Sequence, residues 1–501
     1  MQFASAEFIG LAIVFSLSYR FAPVAVKNSI VLPVTSVCFL FFASESGLSS
    51  CILCGFTVFT YLMTIMALRC QRTVAAAIAI SLVLFVFAYL KRYEILSFLP
   101  RIRDVPIVVG LSYVLVRALH VHVDATEGSI KLPSFRQYFS YLIAWPALLS
   151  GPIMSFPSFV DETSRSAPPF DWRSVQRIVF GYFKLLVLAY FLEQVYWGAL
   201  NGVVTDTGRQ GATVEFFGNL AASLRTAHGV TAALATLWNG MGQASSFTLG
   251  AASVLYLVYL YFNFSGFIDI VCGFAGVMGL RMPENFNRPW RSRNTIEFWT
   301  RWHMTLANWF KTYVFNPVLR ILIQFPGLAV HRDAVAVVAY FVTFFLLGVW
   351  HGPDLGFMLC GFMLGLGISI NRIFQILARR ILGKEAYARL AARSSYQALC
   401  MALTASSIAI SVLPFWLSRG LLATTLFEFG IAGIGAAILF GSLVYLPIAV
   451  VALLEQRLNN FVSFPMAQKF DSIFTGILFG AVVIRILAFP LVTAKIVYQA
   501  F

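Results

Sequence analysis

Apolar residues occur along this chain in long runs rather than in alternation. The runs cover about 5–20, 29–45, 47–69, 73–92, 105–122, 138–156, 177–200, 228–280, 336–350, 355–377, 396–417, 421–453 and 472–500. Several reach the roughly 20 residues that carry an α-helix across a bilayer. Those at 228–280 and 421–453 have room for more than one helix. Ten-residue segments of alternating polarity, the mark of a transmembrane β-barrel, do not occur, so helices are the spanning elements. The pattern predicts an all-α, polytopic bundle of about 11–14 membrane-embedded helices, some short or re-entrant. The polar stretches 161–177, with Pro168 and Pro169, and 201–216 are too small to be domains. No internal repeat or low-complexity linker interrupts the chain, so 1–501 reads as one membrane domain.

One stretch departs from this pattern. Between 281 and 332 there are eight Lys/Arg and only two acids, Glu284 and Glu297. Within it Trp299, Trp302, Leu306, Trp309, Phe310 and Tyr313 recur at spacings of three and four, which predicts one aromatic helix face. Thr300, Arg301, Thr305, Asn308 and Thr312 fall on other arcs, and His303 lies at the edge of the aromatic face. Another basic cluster comprises Arg372, Arg379, Arg380, Lys384, Arg389 and Arg393, opposed only by Glu385. Lys91, Arg92, Arg101 and Arg103 mark a further loop. The clusters at 281–332 and 372–393 are expected in the cytoplasm, where short loops accumulate Lys and Arg. The runs 336–350 and 355–377 lie between them as a hairpin would, with His351-Gly352-Pro353-Asp354 at the break. The first run holds only about 15 residues, short for a crossing. His351 is therefore expected within the membrane thickness, where irregular backbone needs a protein- or water-lined cavity.

Composition narrows the class. The chain is 59% apolar and 11% charged, with mean hydropathy +0.81, whereas soluble domains carry roughly 25% charged residues. The net charge of +15 is spread over short loops. It matches the cytoplasmic excess of Lys and Arg, and with no basic helix or stacking module outside the apolar runs it does not indicate nucleic-acid binding. The seven cysteines, Cys38, Cys51, Cys54, Cys70, Cys272, Cys360 and Cys400, sit mostly inside apolar segments and form no disulfide framework. Cys51 and Cys54 have CxxC spacing but no second pair, and read as small hydrophobes. The N-terminus lacks a basic n-region and a small-residue cleavage site, so 8–19 is expected to be a retained first helix.

Two of the six histidines stand out. His120 and His122 form a His-x-His with no further ligand cluster nearby, which reads as interface histidines; His228 and His331 are boundary residues. His303 lies among aromatic side chains, and His351 follows Trp350 at the end of an apolar run. Ionisable groups inside a membrane are costly and point to function; the competing reading is a histidine tied to a backbone carbonyl within the bundle. Gly-x-Ser-x-Gly does not occur, and Phe264-Ser265-Gly266 lacks a strand–turn–helix context. Neither a phosphate loop nor a dinucleotide fingerprint is present; Gly361, Gly365 and Gly367 read as close helix packing. Asp269, four residues after Ser265, shares its helix face and is placed either to anchor a basic or imidazole group or to make a helix-capping or interhelical hydrogen bond.

The segments Phe264-Ser265-Gly266-Phe267-Ile268-Asp269, Pro283-Glu284-Asn285-Phe286-Asn287-Arg288-Pro289-Trp290 and Phe298-Trp299-Thr300-Arg301-Trp302-His303-Met304-Thr305-Leu306 together resemble the membrane-bound O-acyltransferase (MBOAT) family. Gly348-Val349-Trp350-His351-Gly352 follows where that family places its second histidine, and Gly151-Pro152-Ile153 resembles another landmark. The resemblance covers about 145–370. Its nearest branches are similar to the alginate-type polysaccharide O-acetyltransferases and the D-alanyl transferases of teichoic acids. Met154-Ser155-Phe156 stands where many relatives carry a basic residue. The family implies acyl transfer from a thioester donor to a hydroxyl, and a bundle with a central funnel or tunnel at which His303 and His351 meet.

Such chemistry needs a base for the hydroxyl proton, donors for the oxyanion and exclusion of water. His351 is expected to be the base, and His303 to orient substrate or stabilise the oxyanion. Asn287, Arg288 and Arg301 are expected to position the donor, with Trp299, Trp302, Ser265 and Asp269 completing the substrate site. The donor is expected to be acyl-CoA or an acyl-carrier thioester, with no bound cofactor or metal. The expected acceptor is an exported polysaccharide or a periplasmic acyltransferase partner; the expected setting is the lipid bilayer of the cytoplasmic (inner) membrane. An acetyl group is the first expectation and D-alanyl the alternative. A proton-coupled transporter is the competing class, against which stand the missing inverted repeat and the few intramembrane carboxylates; a non-catalytic scaffold is the third. The joint expectation for the two histidines is one cavity reachable from both membrane faces.

Overall fold

In hydrocarbon a helix satisfies its own backbone polar groups, so apolar runs of this length fold as helices. The computed structural model of the chain describes residues 5–44, 46–70, 73–99, 108–196, 245–325, 327, 331–417, 419–459, 477–480 and 482–483. Its helices are α1 (Ala6–Phe21), α2 (Leu32–Ala43), α3 (Gly47–Cys70), α4 (Thr73–Leu90), α5 (Leu111–Thr126), α6 (Phe135–Ile143), α7 (Phe156–Ser164), α8 (Trp172–Phe183), α9 (Ser245–Met278), α10 (Thr295–Trp299), α11 (Met304–Phe310), α12 (Asn316–Ile323), α13 (Arg332–His351), α14 (Leu355–Leu382), α15 (Lys384–Ala392), α16 (Ser394–Ser411) and α17 (Arg419–Asn459). Among the described residues the one strand-like feature is an isolated antiparallel bridge between Phe286 and Trp302. Nine helical segments of the described residues are long and apolar enough to cross a membrane. The chain is thus an all-α, multi-pass membrane bundle. The shorter helices α5, α6 and α10–α12 pack among the long ones, and His228 lies outside the described residues, as do 197–244 and 484–501.

One expectation about an individual element changes, that for the run 336–350. Of the run 228–280, residues 245–278 form one long helix, α9, and 228–244 lie outside the described residues. The run 421–453 holds parts of two helices, as its length allowed, because α17 is broken at Gly430, where φ is +53. The run 336–350 is longer than its apolar core suggested. α13 begins at Arg332 and has 20 residues, so it rises roughly 30 Å and can cross alone. His351 is its last residue, followed by extended Gly352.

The hairpin between the basic clusters is present. Asp333 at the start of α13 lies 3.3 Å from Arg372 and 4.0 Å from Arg380 on α14, which brings the two charged ends together. Near the other end the helices touch through glycine. A Cβ at Gly348 would come within 2.5 Å of both the Gly361 Cα and the Phe357 carbonyl oxygen. Lipid offers helices no hydrophobic drive to associate, so packing of small residues holds such pairs. The same logic joins α8 to α9, where a Cβ at Gly181 would approach the Gly266 carbonyl oxygen to 2.6 Å.

The aromatic stretch is not one helix. α10 ends at Trp299, α11 begins at Met304, and a π-helical turn over Lys311–Phe315 precedes α12. The break falls where the periodicity looked continuous, because His303 adopts φ +44 in the left-handed region. The aromatic residues therefore meet different neighbours. The Trp299 ring lies 4.9 Å from Phe344, Trp302 stacks at 5.4 Å on Phe298, and Trp309 donates to the Val116 carbonyl at 2.9 Å.

Candidate active site

His303 occupies the position before the first residue of α11, but its own side chain does not cap that helix. The loop after α9 supplies the missing partner. Residues 285–287 run antiparallel to 301–304: the Asn287 N–H donates to the Arg301 carbonyl at 2.9 Å and the Met304 N–H to the Asn285 carbonyl at 2.9 Å. The Asn285 side-chain oxygen accepts from the Thr305 N–H at 3.2 Å and from the Thr305 hydroxyl at 2.6 Å. That hydroxyl in turn accepts from the Ile153 N–H at 3.0 Å. Three separate sequence landmarks, Gly151-Pro152-Ile153, Pro283-Glu284-Asn285 and His303-Met304-Thr305, thus form one hydrogen-bonded unit. His303 is 2% exposed. Its ring packs edge-on against Phe264 at 4.8 Å, and its Nε2 lies 3.4 Å from the Tyr113 hydroxyl. Burial, and after it the nearby His351, push the His303 imidazole well below the ordinary histidine range.

His351 is 7% exposed at the end of α13. Its ring lies 4.9 Å from Trp350 and edge-on to Phe415 at 5.5 Å. Helix α5 connects the two histidines. Trp350 donates to the Ser112 carbonyl at 3.3 Å and packs edge-on against Tyr113 at 5.7 Å, while the Tyr113 hydroxyl reaches His303. The loop bearing His303 leaves α9 at the basic face but is carried towards the far end of α13.

The remaining sequence candidates divide. Trp302 is buried beside His303 and also contacts Phe286 at 5.1 Å; Trp299 is half-buried one turn earlier. Arg301 is held by Glu297 at 3.0 Å and by the Asn287 carbonyl at 3.2 Å. Asn287 and Arg288 are exposed at the basic face, Arg288 with φ +48. Ser265 is buried in α9 next to Phe264. Asp269 anchors two basic groups, accepting from Arg177 at 3.0 Å and from Lys184 at 2.6 Å; Arg177 also reaches Glu284 at 2.6 Å. This network ties α8 and α9 to the loop that holds His303.

A cavity of about 450 Å³ opens between α8, α9, α16 and α17, with Trp302, Phe298, Tyr261 and Lys184 in its wall. Neither His303 nor His351 lines it, so it is not the common cavity expected for them. His120 and His122 serve separate contacts: His120 accepts from the Phe156 N–H at 2.8 Å and lies 2.5 Å from the Tyr313 hydroxyl, while His122 lies 3.1 Å from the Thr64 hydroxyl. Tyr113, Asn285 and Thr305 were not candidates from sequence. Tyr113 is hidden in an apolar run, and Asn285 and Thr305 carried a motif without a role.

Fold and site define a multi-pass helical membrane protein with two buried histidines brought together by separate elements. Residues 226–413 match the model of MBOAT, the membrane-bound O-acyltransferase family, and this stretch contains both histidines. The chain is 26% identical over 251 residues to a teichoic acid D-alanyltransferase of Bacillus subtilis, covering 49% of this chain and 53% of that protein. It is 32% identical over 128 residues to a peptidoglycan O-acetyltransferase of Helicobacter pylori, covering 26% and 23%. It is 23% identical over 267 residues to a probable alginate O-acetylase of Pseudomonas aeruginosa, covering 53% and 42%. The chain spans about half the length of the curated relatives it matches.

Proposed function

We propose that this chain is a membrane-bound O-acyltransferase that moves an acetyl group from a cytoplasmic thioester, acyl-CoA or an acyl carrier, to a hydroxyl of an exported polysaccharide or of a periplasmic relay protein. The observation that carries this reading is the convergence of His303 and His351 on α5 through Tyr113 and Trp350, inside the family-matched stretch. In the proposed reaction His351 accepts the acceptor hydroxyl proton as its oxygen attacks the thioester carbonyl. The tetrahedral oxyanion is stabilised or oriented at His303. Collapse expels the thiolate, which takes the proton back from His351. A neutral imidazole is the form that can act as base, and a general base contributes about 10²–10⁴-fold. Asn287, Arg288 and Arg301, at the basic face, are proposed to receive an anionic donor, with Trp299, Trp302 and Ser265 nearer the reacting centre. Asp269 is assigned to holding α8 against α9, since both its oxygens already meet cations. The proposed location is the cytoplasmic membrane.

A second reading, D-alanyl transfer from a carrier protein to a teichoic-acid-type polymer, is favoured by the alignment with the teichoic acid D-alanyltransferases, 26% identical over 272 residues for that of Streptococcus thermophilus. Purified full-length chain in lipid nanodiscs separates the two: labelled acetyl thioester should be consumed in the first case and D-alanyl-loaded carrier in the second. His351→Ala should insert and fold normally yet lose turnover by at least about 10²-fold. Wild-type turnover in that variant would remove His351 from the mechanism, and no turnover of either donor by the wild type would sink the enzyme reading.

A further inference from the structure

His303 stands where a helix normally receives its N-cap, and its side chain makes no capping bond. The first N–H groups of α11 would then lack acceptors in a buried setting, which is costly. They have acceptors nonetheless, on a residue distant in sequence. The Met304 N–H reaches the Asn285 carbonyl, and the Thr305 N–H and hydroxyl both reach the Asn285 side-chain oxygen. Asn285 itself is fully buried. Its side-chain Nδ2 has no acceptor among the described residues, so the side-chain oxygen is the atom in use. Asparagine is among the best residues for receiving the first N–H groups of a helix. Here it does so across a loop, and the backbone so fixed is that of His303 in its left-handed conformation.

We propose that Asn285 is a positioning residue for the acyl-transfer reaction: it acts as an N-cap in trans for α11 and thereby sets the place of the His303 imidazole. The proposal rests on the acyltransferase reading for its kinetic consequence, but not for its structural one. Asn285 touches neither reacting group; it works through Thr305 and Met304. The Thr305 hydroxyl passes the constraint to Ile153, so the loop before α7 is locked to the same point. The neighbouring Glu284 pairs with Arg177 of α8 at 2.6 Å. A misplacement of about 1 Å in a group that orients substrate can cost roughly 10²-fold in rate. Loss of the cap should therefore appear in kcat far more than in KM.

The experiment compares wild type, Asn285→Ala and Asn285→Asp as full-length protein in nanodiscs, with two readouts. Hydrogen exchange measured on peptides spanning 300–310 reports the cap without reference to activity. Steady-state turnover of the acetyl thioester reports its consequence. Asn285→Ala should exchange faster at 304 and 305 and lose roughly 10²-fold in kcat with KM within about twofold. Asn285→Asp keeps the acceptor oxygen and replaces an Nδ2 that has no acceptor by a carboxyl oxygen, which burial at this fully buried position keeps protonated, so it should restore the slow exchange and most of kcat. Should Asn285→Ala fail to accumulate, Asn285→Ser carries the same readouts, because its shorter hydroxyl cannot hold both Thr305 donors. Unchanged exchange in the Ala or Ser variant overturns the capping role. Faster exchange with wild-type kcat overturns the positioning role, as does an Asp variant with restored exchange and unrestored kcat. If wild type turns over no thioester, the enzyme reading fails on its own, and the cap is judged by exchange alone.

Discussion

His303 holds φ +44, and a left-handed backbone costs a residue with a side chain about 1–2 kcal/mol. Glycine adopts that conformation freely, whereas alanine does not. At an ordinary helical position alanine is the more stable choice by about 1 kcal/mol. At 303 the order should be equal or reversed: His303→Gly should unfold no earlier than His303→Ala in detergent, although both leave the same hole and both lose turnover. A clear advantage for alanine would mean that the backbone relaxes out of the left-handed region once the imidazole is gone. The residue scale is also where the sequence was least legible. His303 and His351 could be singled out because a histidine in an apolar segment is conspicuous by its cost. Asn285 and Tyr113 could not. Their importance comes from partners 20 and 190 residues away, a relation that local spacing does not carry.

Among the elements, the long helices were visible as apolar runs because hydrocarbon leaves the backbone no alternative to helix. Sequence pattern and structure differ where tertiary contacts override periodicity. The aromatic spacing from Trp299 to Tyr313 is real, yet Asn285 and the Phe286–Trp302 bridge hold the segment open between α10 and α11. α13 is longer than its apolar run because Arg332 and Asp333 are polar but helical, Asp333 pairing with Arg372. One element-level contact gives a measurable energy. Lys184, on the helical segment Trp172–Tyr196, and Asp269, on α9, have side chains only 9% and 15% exposed, and their charged atoms lie 2.6 Å apart. Removing one member of a buried pair strands the other and costs about 3–5 kcal/mol. Asp269→Ala should thus lower thermal stability strongly, near the lower end of that range because Arg177 retains Glu284. The double variant Lys184→Met, Asp269→Leu should regain most of the loss, as apolar replacements of whole ion pairs do. Equal stability of Asp269→Ala and wild type would show that the pair does not bind the segment Trp172–Tyr196 to α9.

For the whole molecule, charge and contacts assign one face. Arg20 at the end of α1 donates to carbonyls of Val277 and Pro168, and Glu162 accepts from the Arg281 N–H, so the ends of α1, α7 and α9 share a level. Asp333 draws Arg372 and Arg380 together at the start of α13. Of these groups Arg281, Arg372 and Arg380 belong to the two clusters richest in Lys and Arg, and the excess of such residues in short loops marks the cytoplasmic side. α13 then runs roughly 30 Å to His351, so the turn at Gly352–Asp354 should face the opposite compartment. Cysteine labelling tests this, once the seven native cysteines have been replaced. Three sites suffice: exposed Arg288 on the loop after α9, Arg380 near the end of α14 with a side chain 72% exposed, and exposed Asp354 at the hairpin turn. With a membrane-impermeant maleimide, Asp354→Cys should label on intact cells, while Arg288→Cys and Arg380→Cys should label only after lysis. The opposite pattern would turn the molecule over and place the proposed donor site outside the cell, where a cytoplasmic thioester could not reach it. Labelling of all three from one side would break the hairpin instead, and with it the route by which His351 is carried to the far side of the bilayer from the basic face.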